Sequence, residues 1–394
     1  MGVRQRGRGA AALPGDWDGL VVYCAGASWD AVRGTGKHMA DRLPRYAPVL
    51  YVDPPMSVLT PLRRPHLAGS LLEPRLRLVR PGLARLTPVV NPGVSRPVLR
   101  DLAIAMTRQA MARAVRRLGG SVHAVVGASF DRVFDACGED LRVLYATDDF
   151  AAGGDLMDIG DDWLARRERA QLATVDRVVA VSPALAQRWR AQGHDVTLIT
   201  NGCDPDSYAD VDAAPLPPTV DLPGPVALFV GHLSERIDIA LLEAVADTGL
   251  SLLLVGPRRP GYEPGRFDAL VARDTVQWVG RQPFEALPSY LRVAAVGLTP
   301  YADTAFNRGS FPLKTLEYLA AGRPAVITDL PSARWLDTDL VTIAGSPEEF
   351  AQAALRCAHE APSPQLAEER RAFARRNSWD VRVRELAKVL DLPL

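Results

Sequence analysis

Short apolar runs alternate with amphipathic segments along most of the chain. In the first half, Leu20–Ala25, Val49–Val52, Val122–Gly127, Arg142–Ala146, Arg177–Val181 and Val196–Thr200 read as strands. Lys37–Leu43, Asp101–Leu118, Trp163–Ala173 and Pro183–Gln192 have helical spacing. On the longest of these, Leu102, Ala105, Met106, Ala110, Ala114, Val115 and Leu118 fall on one stripe. Short buried strands alternating with helices predict α/β architecture, with parallel sheets covered on both faces.

The alternation stops between Ala209 and Pro225. Five prolines fall there (Pro215, Pro217, Pro218, Pro223, Pro225), with several acids and no period, so the stretch reads as an interdomain linker. Proline removes backbone donors, which argues against a buried core segment. The pattern then restarts. Val226–Val230, Leu250–Val255, Val276–Val279, Val296–Thr299 and Ala325–Thr328 read as strands. Ile237–Asp247, Pro283–Val293, Leu313–Ala320 and Glu348–Glu360 read as helices. Two doubly wound units follow: residues 1–208 and 226–376, joined by 209–225 and closed by a terminal segment, 377–394. Ligands of such sheets sit at the carboxyl ends of the strands, so the expected site is a cleft between the two domains, one substrate held by each.

Composition narrows this little. The 394 residues carry 46 Lys+Arg against 46 Asp+Glu, with 47% hydrophobic residues, which are ordinary globular values. No apolar run approaches the roughly 20 residues that span a bilayer, and Ala10–Leu13 is too short for a signal-peptide core. Cys24, Cys137, Cys203 and Cys357 lie far apart without metal or redox spacing, so the expectation is a reduced, cytoplasmic protein. The zero net charge hides two opposed blocks. Residues 61–120 hold twelve Arg and two acids; residues 131–162 hold ten acids and two Arg. Two differing solvated faces and a basic surface meeting anionic membrane lipid are both open readings.

Candidate chemistry concentrates in Phe311–Pro324. Pro312 suits a helix first turn, and Gly322 with Pro324 suits its end. The free N–H groups there, with Lys314 on the first turn, make an anion site; Glu317 falls on the same face three residues on. A phosphate at Lys314 and a sugar diol at Glu317 would fit one nucleotide; a surface Lys–Glu pair fits the spacing equally. Gly231 and His232 follow the first strand of the second half, with Arg236 beyond. Gly34, Thr35 and Gly36 precede a helix and would let a phosphate or sugar near the backbone, but the dinucleotide-binding spacing is absent. Asp148 and Asp149 end a strand, where one carboxylate would serve as a general base or a turn residue. Asp155, Asp158, Asp161 and Asp162 lack calcium-loop spacing, so no metal site is expected.

Five segments in order, Phe229–Leu233 (FVGHL), Leu254–Gly256 (LVG), Val276–Arg281 (VQWVGR), Leu287–Leu291 (LPSYL) and Pro312–Pro324, resemble the nucleotide-binding domain of GT-B glycosyltransferases. Val49–Pro55 (VLYVDPP), Asp176–Pro183 (DRVVAVSP) and Ile199–Asp204 (ITNGCD) are similar to the same group, most of all to bacterial glycosyltransferases resembling the teichuronic acid biosynthesis protein. Asn377-Ser378-Trp379 resembles the start of the group's closing helix. The resemblance implies two Rossmann-like domains facing each other across a cleft. It implies a nucleoside-diphosphate sugar (UDP or dTDP) as co-substrate in the second domain, and an acceptor hydroxyl or amine in the first. It implies no cofactor and no required metal, no nucleic acid partner, and a role in cell-surface polysaccharide, glycolipid or secondary-metabolite synthesis.

Carried over residue by residue, the donor contacts are Gly231, His232, Arg236, Gly256, Gly280, Arg281, Arg308, Phe311, Pro312, Leu313, Lys314 and Glu317. Glu317 matches the second of the group's paired glutamates; Gly309 stands where the first belongs. His232 takes an Arg position, and Ile237 takes a Lys position beside Arg236, which leaves Lys314 as the substitute cation. A looser similarity to xanthan-type glucuronosyltransferases marks Asp148 or Asp149 as base. Inversion and retention both stay open, as do an inactive homologue acting as a scaffold and a nucleotide-sugar epimerase of the same fold.

Overall fold

The computed structural model of the chain describes residues 15–31, 34–57, 59, 74–93, 97–129, 131–147 and 161–394. The chain divides into two compact units. The first runs to Val181 and includes Ala186–Ile199 and Val383–Leu394; the second is Ser182–Leu185 with Thr200–Arg382.

The first half contains β1 (Leu20–Cys24), α1 (Thr35–Arg42), β2 (Val49–Val52), β3 (Met56–Ser57), β4 (Leu76–Arg80), β5 (Leu83–Leu86), β6 (Val89–Val90), α2 (Pro97–Leu118), β7 (Val122–Gly127), β8 (Leu141–Ala146), α3 (Asp161–Leu172), β9 (Arg177–Ala180), α4 (Pro183–Ala191) and β10 (Val196–Leu198). Its main sheet runs β10-β9-β8-β7-β1-β2-β5-β4. Every pairing in it is parallel except β4 with β5. The chain leaves β1 toward β2 and returns to β7 on the other side. The switch point therefore falls between β1 and β7, and the crevice of a doubly wound sheet opens there.

The second half contains β11 (Val226–Val230), α5 (Ile239–Asp247), β12 (Ser251–Val255), α6 (Pro264–Val271), β13 (Val276–Trp278), α7 (Leu287–Arg292), β14 (Ala294–Thr299), α8 (Ala305–Gly309), α9 (Leu313–Ala320), β15 (Ala325–Thr328), α10 (Pro331–Arg334), β16 (Val341–Ala344), α11 (Pro347–Ala358), α12 (Pro364–Arg376) and α13 (Trp379–Val389). The sheet β13-β12-β11-β14-β15-β16 is parallel throughout. Period-two alternation sends Val226, Leu228 and Val230 to one core, with Leu316 and Leu319 of α9. It sends Ala227 and Phe229 to the other, with Leu242 and Val245 of α5 and Phe350 of α11. Both faces are covered, which is why these strands read as unbroken apolar runs. The switch point lies between β11 and β14.

Three expectations change. The Pro-rich stretch 209–225 lies wholly in the second unit, and the division falls between Ile199 and Thr200. Val211 in it is fully buried in that unit's core beside Tyr208, so its apolar side chains outweigh the missing proline donors. The stripe on α2 is also different. Ala103, Ile104, Thr107, Met111, Ala114, Val115 and Leu118 are buried, whereas Leu102, Ala105 and Met106 face solvent. The first half of α2 is apolar on nearly every side, so periodicity alone allowed two faces and the sheet selected one. Finally, the twelve arginines are not one face. Arg85 is 2% exposed and Arg100 pairs with Asp131, while Arg63, Arg64 and Arg96 lie outside the described residues.

Candidate functional site

In the second unit, glycines rim the carboxyl end of the sheet. Gly231 follows β11 and donates its N–H to Val255 O at 2.9 Å; Gly256 follows β12 and donates to Gly280 O at 2.8 Å. Gly256 has φ +142°, and a Cβ there would stand 1.7 Å from Gly231 O. No side chain fits that approach, so the strand ends are pinned as bare backbone. The Trp278 indole closes the rim by donating to Gly256 O at 2.8 Å.

Tyr318 fixes α9 to this edge. Its hydroxyl donates to Leu298 O at 3.0 Å and accepts from Val230 N at 3.0 Å, so it bridges the ends of β14 and β11 at the switch point. Thr315, fully buried, meets Thr299 of β14 at 2.9 Å through their hydroxyls. Gly297 makes room, since a Cβ there would lie 2.2 Å from the Tyr318 ring. Sequence reasoning missed Tyr318 and Thr315. A glycine inside the apolar strand Ala294–Thr299 was the available signal, because it marks a close approach.

Lys314 and Glu317 are thereby held on the first two turns of α9. Lys314 Nζ donates to both carboxylate oxygens of Glu317, at 3.0 and 2.9 Å. The pair is not a surface one: the side chains are 29% and 9% exposed. Tyr208 and Cys203 are buried near that carboxylate. Burial first, and the Glu317 charge second, push both of their pKa values up, which keeps them protonated. Pro312 stands just before the helix, where it was expected in the first turn. At φ −82°, ψ 69° it forms a tight turn in which Leu313 N–H bonds Phe311 O at 2.9 Å, and no side chain caps the helix.

The loop after β11 is tied to the segment after β14. Asn307, fully buried, donates to Arg236 O and Ala302 O at 2.8 Å and accepts from Arg236 Nε at 3.0 Å. The Arg236 guanidinium also stacks over Phe306 at 4.7 Å. His232 sits at the rim. Desolvation and then Arg259 hold its imidazole below the ordinary value, so it is a neutral donor rather than the cation an arginine would supply there. Arg281 is exposed. Arg308 is exposed and held in a bidentate pair by Asp303, at 2.5 and 2.7 Å. Gly309 is buried and offers no side chain to a ligand.

In the first unit, Gly34 precedes α1, and Thr35 and Gly36 open it. A Cβ on Gly36 would lie 3.2 Å from the Tyr23 ring, so packing already accounts for that glycine. The loop after β1 is clamped from behind. Asp53, 2% exposed, accepts from Trp29 N–H at 2.8 Å, Arg85 Nε at 2.7 Å and Thr87 Oγ1 at 2.7 Å. Arg85 also grips both oxygens of Asp30, and the Tyr51 hydroxyl donates to Ala27 O at 2.6 Å. Beside this network a cavity of about 250 Å³ opens at the β1–β7 switch point, lined by Gly26, Pro54, Ile104, Ser129, Asp131 and Trp163 among others. Among the described residues its two carboxylates are both paired: Asp53 as above, and Asp131 with Arg100 at 2.9 Å. Asp148 and Asp149, which follow β8, lie outside the described residues.

Residues 224–360 match the family model described as glycosyl transferases group 1. A Bacillus subtilis protein named as a teichuronic acid biosynthesis glycosyltransferase, TuaH, is 29% identical over 170 residues, which cover 42% of this chain and 43% of that one. The match thus spans under half of the relative's length. Among solved structures, the sucrose-phosphate synthase of Thermosynechococcus elongatus aligns over 94% of this chain and 98% of its own, with TM-score 0.69 and 16% identity. Anabaena HepE in complex with UDP and glucose aligns over 94% and 99%, with TM-score 0.65 and 14% identity. An E. coli structure bound with UDP-2-fluoro glucose aligns over 95% and 99%, with TM-score 0.68 and 13% identity. The chain has the GT-B fold, built from two Rossmann-like units. The stretch that matches the glycosyl transferases group 1 model lies in its second unit.

Proposed function

We propose that this protein is a glycosyltransferase. It moves a sugar from a nucleoside diphosphate, UDP or dTDP, to a hydroxyl or amine of an acceptor bound by the first unit. The observation that carries the reading is Lys314 and Glu317 held together on α9 at the switch point, beside a rim of bare glycine backbone. In the reaction the bond from the anomeric carbon to the diphosphate oxygen breaks and the diphosphate gains negative charge. Lys314, with the start of α9, stabilises that charge, and Glu317 accepts hydrogen bonds from the ribose diol. Arg236 is held by Asn307 and aromatic rings, so it contributes field rather than a mobile contact. No metal ion is assigned a part.

The similarity to xanthan-type glucuronosyltransferases gives the base role in an inverting reaction to Asp148 or Asp149; without such a base, front-side attack with retention is favoured. The test is release of nucleoside diphosphate from UDP-glucose and dTDP-glucose, with water and then candidate acceptors. Lys314→Ala and Glu317→Ala are expected to lower turnover by about 10²–10³-fold; unchanged turnover in both overturns the site. The second reading is an inactive homologue, favoured by the Lys314–Glu317 pair closing on itself and by the bare Gly309. It predicts nucleotide binding without release from any donor.

A further inference from the structure

The cavity at the switch point of the first sheet is mainly apolar, with Ala25, Val52, Pro54, Ile104, Val133 and Leu164 in its walls. The polar side chains that share the lining are already engaged. Asp53 accepts three hydrogen bonds, Arg100 and Asp131 bond each other, and Thr107 donates to Ala103 O at 2.8 Å. The Cys24 thiol meets Met111 Sδ at 3.8 Å, and Ser129 Oγ accepts from Asp131 N–H at 3.4 Å. A sugar ring placed here would give up its water without gaining matched hydrogen bonds, which is costly. An apolar group would lose nothing and would gain the burial of its surface.

Trp163 is set in place before any ligand arrives. The Arg100 guanidinium lies over its ring at 5.0 Å and that of Arg167 at 4.8 Å. Arg100 is in turn held by Asp131, and Arg167 by Asp101. The indole is therefore a fixed wall, and the cavity is preformed. Size narrows the occupant further. A dry apolar cavity of about 150 Å³ takes one benzene ring, so the volume here, about 250 Å³, has room for about ten carbon atoms. We propose that the acceptor is an alcohol or phenol whose apolar body, aromatic or prenyl, fills this cavity, and that a free sugar is not the acceptor. The word acceptor rests on the transfer reading above; the apolar selectivity of the cavity does not. In the transfer, the hydroxyl oxygen bonds the anomeric carbon as the diphosphate oxygen leaves, and the hydroxyl proton ends on a base or on the departing diphosphate.

The test begins with calorimetric titration of 2-naphthol, geraniol and D-glucose into the full chain. Naphthol or geraniol is expected to bind and glucose is not; the tighter of the two separates an aromatic from a prenyl body. Ala103→Leu adds an isopropyl group to the lining and should weaken that binding on the order of 10-fold or more. Circular dichroism checks the variant, and Ile104→Phe gives the same comparison if it fails to fold. Glycoside formation from UDP-glucose and dTDP-glucose, read by mass spectrometry, is then expected on the compound that binds. Binding that the variants weaken, with no glycoside and no nucleoside diphosphate released, upholds the selectivity of the cavity and overturns the transfer reading. A glycoside formed on glucose while neither apolar compound binds overturns the proposal and leaves sugar transfer standing. Absent binding, or binding unchanged in both variants, also overturns it.

Discussion

Lys314→Ala tests the α9 site most sharply. The substitution leaves the Glu317 carboxylate, 9% exposed, without the ammonium that bonds both of its oxygens. Removing one partner of a fully buried pair costs about 3–5 kcal/mol, and an exposed pair contributes up to about 1 kcal/mol. Lys314 keeps 29% of its side chain exposed, so a loss of about 1–2 kcal/mol is expected. For a unit of this size that lowers Tm by about 2–8 °C. Differential scanning fluorimetry reads the stability, and nucleoside diphosphate release reads turnover. The double variant Lys314→Ala/Glu317→Gln separates the two effects. It removes the stranded charge and should recover most of the Tm, while turnover stays low because the cation facing the leaving diphosphate is gone. A single variant with unchanged Tm and turnover refutes the argument, and so does a double variant that recovers turnover along with Tm.

Gly297→Ala places a methyl 2.2 Å from the Tyr318 ring, so it should cost about 3 kcal/mol or more and displace α9; a Tm within 2 °C of the parent in a thermal melt counts against Tyr318 as the anchor. Asp53→Asn leaves Arg85, 2% exposed, with only Asp30 as counter-charge; a loss of about 3–5 kcal/mol in urea unfolding is expected, and a loss under 1 kcal/mol would deny the clamp. His232 gives a pH signature. Its folded pKa is depressed, and a bound diphosphate would raise it, so binding takes up a proton. UDP affinity measured by calorimetry should therefore rise as pH falls below about 6.5, and His232→Gln should flatten that dependence.

The central strands of the second sheet were legible because they are covered on both faces. Val226–Val230 is apolar at every position and Ala325–Thr328 at all but its last, and their boundaries follow from that. The edge elements were not. Leu76–Arg80 mixes arginine with leucine because only part of it is buried, and Val341–Ala344 pairs with β15 alone and is exposed at Ile343. The α2 face was ambiguous for the opposite reason: too many of its positions are apolar for a period to choose among them.

The sequence by itself determined two doubly wound α/β units and placed Lys314 and Glu317 one turn apart, because both follow from local periodicity and helix geometry. It also supplied the glycines at the strand ends, which only a backbone requirement explains. Tertiary structure decided what those residues meet. Whether Lys314 faces Glu317 or solvent, whether Gly36 serves packing, and which side of α2 is left in water all depend on side chains from distant strands. Tyr318 reaches β11 across 88 residues of chain, and Arg85 reaches Asp53 across 32. No spacing rule covers such distances, because the contact is set by the sheet order and not by the path of the chain.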